Sequence, residues 1–182
     1  SKHEFQFKTA GASFLFCVDF KRLQVAGQKH GVEIVADSAE NVLVGVADAA
    51  LFAQNFVIAA ESEGYGICYI GGARTNPQEI SELFNLPEYV FPLFAMTIGT
   101  PTKRNETKPR LPVAAVLHEN SYDTEQYETL LDEYDATMEA YYASRSSNQK
   151  MANWTKQMAD FLIDQKRPFI KDFLATKGFT WK

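Results

Sequence analysis

The chain has 182 residues, 46% hydrophobic and 23% charged, with ten glycines and seven prolines. That length suits one domain able to bury roughly 70% of the surface its unfolded chain exposes, and the composition excludes a disordered, collagen-like or disulfide-scaffold protein. A formal charge of −5, from 18 basic and 23 acidic side chains, excludes a broad basic surface for duplex nucleic acid and leaves room for a local basic pocket.

The opening SKHEFQFK is charged and lacks an apolar leader core, so a cytoplasmic protein is expected. Residues 13–20 read as a buried strand. Cys17 within it and Cys68 further on lie in apolar runs and are expected to be buried and reduced, although a single disulfide is possible. Neither has an adjacent histidine or basic residue to activate it. Residues 21–37 are polar and glycine-bearing, hence a loop or short irregular segment. A long helix is predicted over about 39–63, stopped by Gly64. Its stretch 42–60 carries Asp48, Gln54 and Asn55, which make a lipid-facing span expensive, and no membrane partner is expected. Asn41, Asp48, Asn55 and Ser62 recur every seven residues as a narrow polar stripe. Such a helix is buried nearly all round, in a core or against another subunit.

Residues 66–71 (GICYIG) form a second predicted strand, and Asn76-Pro77-Gln78-Glu79 is a well-formed helix start. Strands are expected at 90–99 and 113–117. Beyond them Tyr127, Leu130, Leu131, Tyr134, Met138 and Tyr141 fall at helical spacing. A further helix follows Asn153, and another opens at Pro168 and closes at Gly178. Strands separated by helices, with a helical tail from about 123, indicate a single α+β or α/β domain over 1–182.

Histidines 3, 30 and 118 lack ligand-like spacing, so no metal site is expected. No side chain stands out as a nucleophile, and no catalytic residue is assigned. Three stretches could bind. Tyr69-Ile70-Gly71-Gly72 ends a buried strand in two glycines, where backbone can approach a flat ligand without Cβ interference; Gly-Gly is also common turn chemistry. Lys108-Pro109-Arg110 holds two cations beside a rigid proline, which suits a phosphate; a solvated basic loop with Lys103 and Arg104 is the alternative. Arg145 to Lys150 (RSSNQK) joins two helices and reads as a capping loop or as a binding loop.

Taken in order, AQNFVIAAESEGYGICYIGGARTNPQEISELFNLPEYVFPLFAMTIGTP, KPRLPVAAVLHENSY, YYASRSSNQKMANW and RPFIKDFLATKGF resemble the flavin-dependent nitroreductase superfamily. The likeness is closest to its NADPH-dependent FMN oxidoreductase and oxygen-insensitive nitroreductase group, and covers the chain from about Val42 onward. The resemblance implies an α+β sandwich with a central, mostly antiparallel sheet flanked by helices, in a homodimer with FMN at the subunit interface. It implies that Tyr69, Ile70, Gly71 and Gly72 line the isoalloxazine and that Lys108 and Arg110 hold the FMN phosphate. It further implies that Arg145 and Lys150 read the 2′-phosphate of NADPH; Lys150 departs from a loop that is often richer in arginine. The implied reaction is ping-pong, a hydride passing from NADPH through flavin N5 to a small-molecule acceptor: a nitroaromatic, a quinone or free flavin. Residues 1–11 do not match the family's opening Arg-Ser-x-Arg segment, so the chain is expected to be N-terminally truncated relative to the family. A flavin-binding or interaction protein without turnover is the alternative.

Overall fold

The computed structural model describes residues 4–103, 105–145 and 149–180. They fall into two compact units, one of residues 1–103 with 167–182, the other of residues 104–166. Helix α1 (Glu4–Thr9) leads into strand β1 (Ala12–Asp19), α2 (Lys21–Lys29), α3 (Ala39–Ser62), β2 (Gly66–Ile70), a 3-10 turn (Gly71–Arg74), α4 (Pro77–Leu83) and β3 (Val90–Gly99). The second unit holds a 3-10 turn (Val113–Ala115), α5 (Tyr127–Ser144) and α6 (Trp154–Leu162), and the chain returns to the first as α7 (Ile170–Thr176).

In the first unit the sheet is antiparallel with order β1-β3-β2, in agreement with the expected α+β class. The central strand contains Pro92, which has no N–H to give to a ladder and is tolerated within a sheet at a bulge. The register meets that demand: Phe16 pairs with Phe94 and Cys17 with Pro92, so Leu93 is skipped. On one face Phe16 and Met96 pack against Ala53 and Val57 of α3. On the other, Ala95 lies between its two pairing partners Leu15 and Ile70 and completes a cluster with Ala73. A third cluster joins Val18, Phe20, Val42 and Phe91 to Phe173, Leu174 and Phe179, which draws the chain's end onto the sheet. Phe179 is fully buried, with rings of Phe20, Tyr89 and Phe91 around it at 5.1 to 6.1 Å.

The structure corrects three expectations. Residues 21–29 form a helix rather than a loop, because the Asp19 carboxylate accepts from the backbone amides of Lys21 (2.9 Å) and Arg22 (3.4 Å) and supplies its first turn with a partner. Within the stretch 113–117 no strand forms; Val113–Ala115 make a 3-10 turn, closed by the Ala115 amide donating to the Pro112 carbonyl. Cys17 and Cys68 are free, as expected, but half-buried. Helix α3 begins at its Ser38 cap and is stopped by Gly64, yet it buries only Val42, Ala53, Val57 and Ala60. Leu51 is 72% exposed and Phe52 67%. The polar stripe is therefore not the helix's sole outer face: an apolar face is open within this chain.

Candidate functional site

In the first unit, β2 carries its C-terminal end into the turn Gly71–Arg74. Strand alternation points Ile70 inward, so of the four expected ring-lining residues it can offer only backbone. Tyr69 points outward, its ring edge-on to Phe94 at 5.3 Å and its hydroxyl 3.4 Å from Gln54 Oε1. A Cβ added to Gly71 would meet nothing nearer than Arg74 Nη2 at 3.6 Å, and Gly71 is not among the left-handed residues. Neither packing nor turn geometry demands this glycine.

Two arginines converge there that carry no role in the sequence reading. Arg74 Nη1 donates to the Leu93 carbonyl. Burial, and then the neighbouring charge of Arg167, hold the Arg74 guanidinium below its ordinary pKa. Arg167 donates from Nη2 to the Gly71 carbonyl at 3.5 Å, and its Nε is buried without a hydrogen-bond partner among the described residues. Its backbone is left-handed, with φ of 53°, an uncommon state for a side-chain-bearing residue and one that persists where the surroundings enforce it. Arg167 also lines a groove of about 630 Å³ shared by Phe14, Leu15, Gly72, Ala73 and Ile80. In the sequence Arg167 stands before Pro168, which reads as a helix opening, and begins the RPFIKDFLATKGF stretch of the family resemblance, neither of which gives it a role.

In the second unit, the Lys108-Pro109-Arg110 segment is held by its backbone. Tyr134 of α5 donates its hydroxyl to the Pro109 carbonyl at 3.1 Å, and Arg110 Nη1 donates to the Lys108 carbonyl at 3.0 Å. Both cationic side chains stay exposed. The segment leads into the 3-10 turn rather than into a strand. Tyr134, Met138 and Tyr142 recur every four residues along α5 and are buried, with Leu111, Ala152 and Trp154 packed against them. Asp135 accepts from the amides of Trp154 (2.7 Å) and Thr155 (2.9 Å), which fixes the start of α6. Burial raises its pKa, but these bonds and the Thr155 hydroxyl outweigh that and hold the carboxyl below its ordinary value.

The expected nucleotide residues stand on rings of the same helix. The Arg145 guanidinium lies 5.8 Å from the Tyr141 centroid, and Lys150 Nζ lies 4.3 Å from that of Tyr142. Lys150 also donates to Gln157 Oε1 at 2.6 Å. Ser146, Ser147 and Asn148 of that loop lie outside the described residues, as do His3 and Arg104. The HENSY segment is a local cluster, with His118 Nε2 at 3.1 Å and Tyr122 Oη at 3.0 Å from the Tyr127 hydroxyl.

Residues 1–100 match the model of the Nitroreductase family, and residues 108–182 that of the Nitroreductase family, C-terminal domain. This chain belongs to the nitroreductase family. The match takes in residues 1–41, which the motif resemblance did not reach. A Cr(VI) reductase of Pseudomonas sp. (strain G-1) is 76% identical over 177 residues, covering 97% of this chain and 73% of that protein. An FMN reductase (NADPH) of Bacillus subtilis (strain 168) is 38% identical over 173 residues, covering 93% and 70%. The solved structure of NfrA2 from B. megaterium superposes with a TM-score of 0.91 at 36% identity, covering 95% of this chain and 70% of that one. The residues present fit the flavin that a nitroreductase resemblance implies. The groove lined by Gly72 and Arg167 leaves room for a ring, and Arg167 Nε keeps an unused donor beside it.

Proposed function

We propose that this chain is an FMN-dependent oxidoreductase that draws reducing equivalents from NADPH and delivers them to nitroaromatic, quinone or free-flavin acceptors. The observation that carries the reading is the groove lined by Gly72 and Arg167 at the end of β2, beside the unpartnered Arg167 Nε, in a chain of the nitroreductase family. FMN is the flavin and NADPH the reductant; bound FMN supplies the redox chemistry.

The protein's part is binding, orientation and charge. Tyr69 and the backbone of Ile70, Gly71 and Gly72 border the ring, and Arg167 donates toward it. Lys108 and Arg110 hold the flavin phosphate by charge-assisted hydrogen bonds. Arg145 and Lys150 take the 2′-phosphate of the nucleotide. Nucleotide and acceptor use one slot in turn, which makes the kinetics ping-pong. No side chain acts as a nucleophile in this scheme.

The reading extends to a single domain over residues 1–182 and to a cytoplasmic homodimer. The open apolar face of α3 supports a self-partner. By length and composition α3 could cross a bilayer, but Asp48, Gln54 and Asn55 along it favour a protein partner.

A second acceptor class is favoured by a separate observation. The 76% identical relative is named a Cr(VI) reductase, and Arg74 and Arg167 place two cations beside the glycine edge. That charge suits an oxyanion acceptor such as chromate.

The test is the absorbance of the purified protein. Flavin bands that bleach under anaerobic NADPH and return on adding an acceptor support the enzyme. Flavin bands that NADPH leaves untouched indicate a binder without turnover. A colourless protein that FMN does not reconstitute overturns the assignment.

A further inference from the structure

The HENSY stretch has no part in the proposed function, yet its loop is built around one imidazole. It joins the turn Val113–Ala115 to α5. The His118 ring is half-buried and is bonded at both nitrogens, Nδ1 to the Asp123 amide at 3.3 Å and Nε2 to the Tyr127 hydroxyl at 3.1 Å. Tyr127 is the first residue of α5 and donates in turn to the Tyr122 hydroxyl at 3.0 Å. Tyr122 is otherwise exposed. Its ring closes the circle, with its centroid 4.6 Å from that of the imidazole.

These bonds assign the protons. A backbone amide can only donate, so Nδ1 holds a lone pair and the neutral ring carries its proton on Nε2. That proton goes to the Tyr127 oxygen, which leaves the Tyr127 proton for Tyr122. The loop turns sharply to bring the Asp123 amide back to the ring. Asn120 is left-handed, with φ of 64°, a state that Asn adopts more readily than most residues. The Ser121 amide reaches back to the Glu119 carbonyl at 2.7 Å.

A second proton can enter the ring only at Nδ1. There it meets the Asp123 N–H, donor against donor, and the bond that returns the loop to its own start is lost. The bond from Nε2 to Tyr127 survives. An imidazole ordinarily takes up its second proton between about pH 5 and pH 8. Its surroundings admit the charge. A cavity of about 280 Å³ beside the ring is lined by Glu119 and Asp123 of the loop, by Ala114 and Leu117 from the turn side, and by Gln126 and Tyr127 at the start of α5. The charged groups among these are the two carboxylates, which attract an imidazolium once the amide has left it.

We propose that His118 is a pH-sensitive latch: the neutral ring holds residues 119–123 folded back onto itself, and the protonated ring releases them, with Tyr122 leaving the stack. The latch is whole where the ring is neutral, and its contribution to the loop's stability is lost as the pH falls. None of these residues has a role in the proposed function, so the latch needs no bound flavin or nucleotide.

The test is nuclear magnetic resonance of the isotope-labelled chain. At about pH 8 the His118 ring nitrogens should show the Nε2–H tautomer, with the Asp123 amide protected from exchange. As the pH is lowered toward about 6, Nδ1 should take up a proton. The protection of Asp123, corrected for the intrinsic effect of pH, should fall roughly three- to tenfold, while amides inside α5 keep theirs. In His118→Asn an amide oxygen stands in for Nδ1 and does not titrate, so Asp123 should stay protected at both pH values. An Nδ1–H tautomer at the higher pH, or undiminished protection at the lower, overturns the proposal. So does an equal acid loss in His118→Asn, which would assign the release to the carboxylates. The tautomer and exchange of the parent decide the matter even where the variant fails to fold.

Discussion

Arg74 donates from Nη1 to the carbonyl of Leu93, the residue of β3 that the register with β1 skips and that lies beyond the end of the β2 pairing. The bulge that accommodates Pro92 leaves Leu93 out of the ladder, and the guanidinium at the end of the glycine turn takes up its carbonyl. The turn that follows Tyr69 and Ile70 is thereby tied to the central strand. Arg74→Met should remove this tie and leave a carbonyl short of a partner, at a cost of about 1.5 kcal/mol. Chemical denaturation should show the lower midpoint, and FMN content should fall with it. A variant with parental midpoint and full flavin would show that the turn holds without the bond.

Lys108→Ala and Arg110→Ala should each weaken FMN by about 1.5–3 kcal/mol, the range for a charge-assisted phosphate contact. Quenching of flavin fluorescence on titration measures it. Because both side chains are exposed, the loss should shrink as ionic strength rises. Parental affinity in both variants would remove them from the phosphate site.

Gly178 closes α7 with φ of 90°, and a Cβ there would lie 2.8 Å from Cε1 of Tyr89. Gly178→Ala therefore meets both a backbone penalty and a clash with a ring that itself abuts Phe179. A loss of about 2 kcal/mol is expected. Urea unfolding at unchanged slope would register it.

The Cys17 thiol is pushed up to about 11 by burial and then by the charge of Asp19. The folded chain keeps this thiol neutral above its ordinary value of 9.0, where the unfolded chain ionises it. The stabilisation linked to it is thus fully present below pH 9 and is lost as pH rises toward 11. At pH 8 the folded protein should alkylate slowly at Cys17, and denaturant should release the reaction; mapping the modified peptide over time checks both. Rapid labelling of Cys17 in the folded state would contradict the shielding.

If Arg145 reads the 2′-phosphate, Arg145→Ala should erode preference for NADPH over NADH chiefly through KM, because that phosphate is remote from the reacting centre and binds alike in ground and transition states. Steady-state kinetics with both nucleotides at two salt concentrations decides it. Equal kcat/KM for the two nucleotides in the parent would make the loop only a helix connection.

The parts of the fold that were readable from sequence are those whose signal is local. The GICYI strand, the 90–99 strand and the long helix stand out as apolar runs with clear stops, and Asn153 caps α6 by accepting from the Lys156 amide at 3.2 Å. Helix α2 was hidden because its first turn is satisfied by Asp19, which precedes it, and because Gly27 within it reads as a break. That glycine instead lets Val32 approach, since a Cβ there would lie 2.7 Å from the Val32 carbonyl oxygen. The VAAVL run at 113–117 shows the opposite error: a short apolar stretch does not by itself distinguish strand from helical turn, and here Val113, Val116 and Leu117 remain exposed. At the candidate site, glycines and cations could be found by type and order. Arg167 could not, because it reaches Gly71 across 96 positions of sequence.

If the exposed flank of α3 that carries Leu43, Leu51 and Ile58 takes up a second copy, as proposed above, the amount of protein in the tube becomes a thermodynamic variable. When a second copy covers that surface only in the folded state, folding and association become one equilibrium, and the melting temperature climbs with each increment of chain added. Dilution then acts as a mild denaturant.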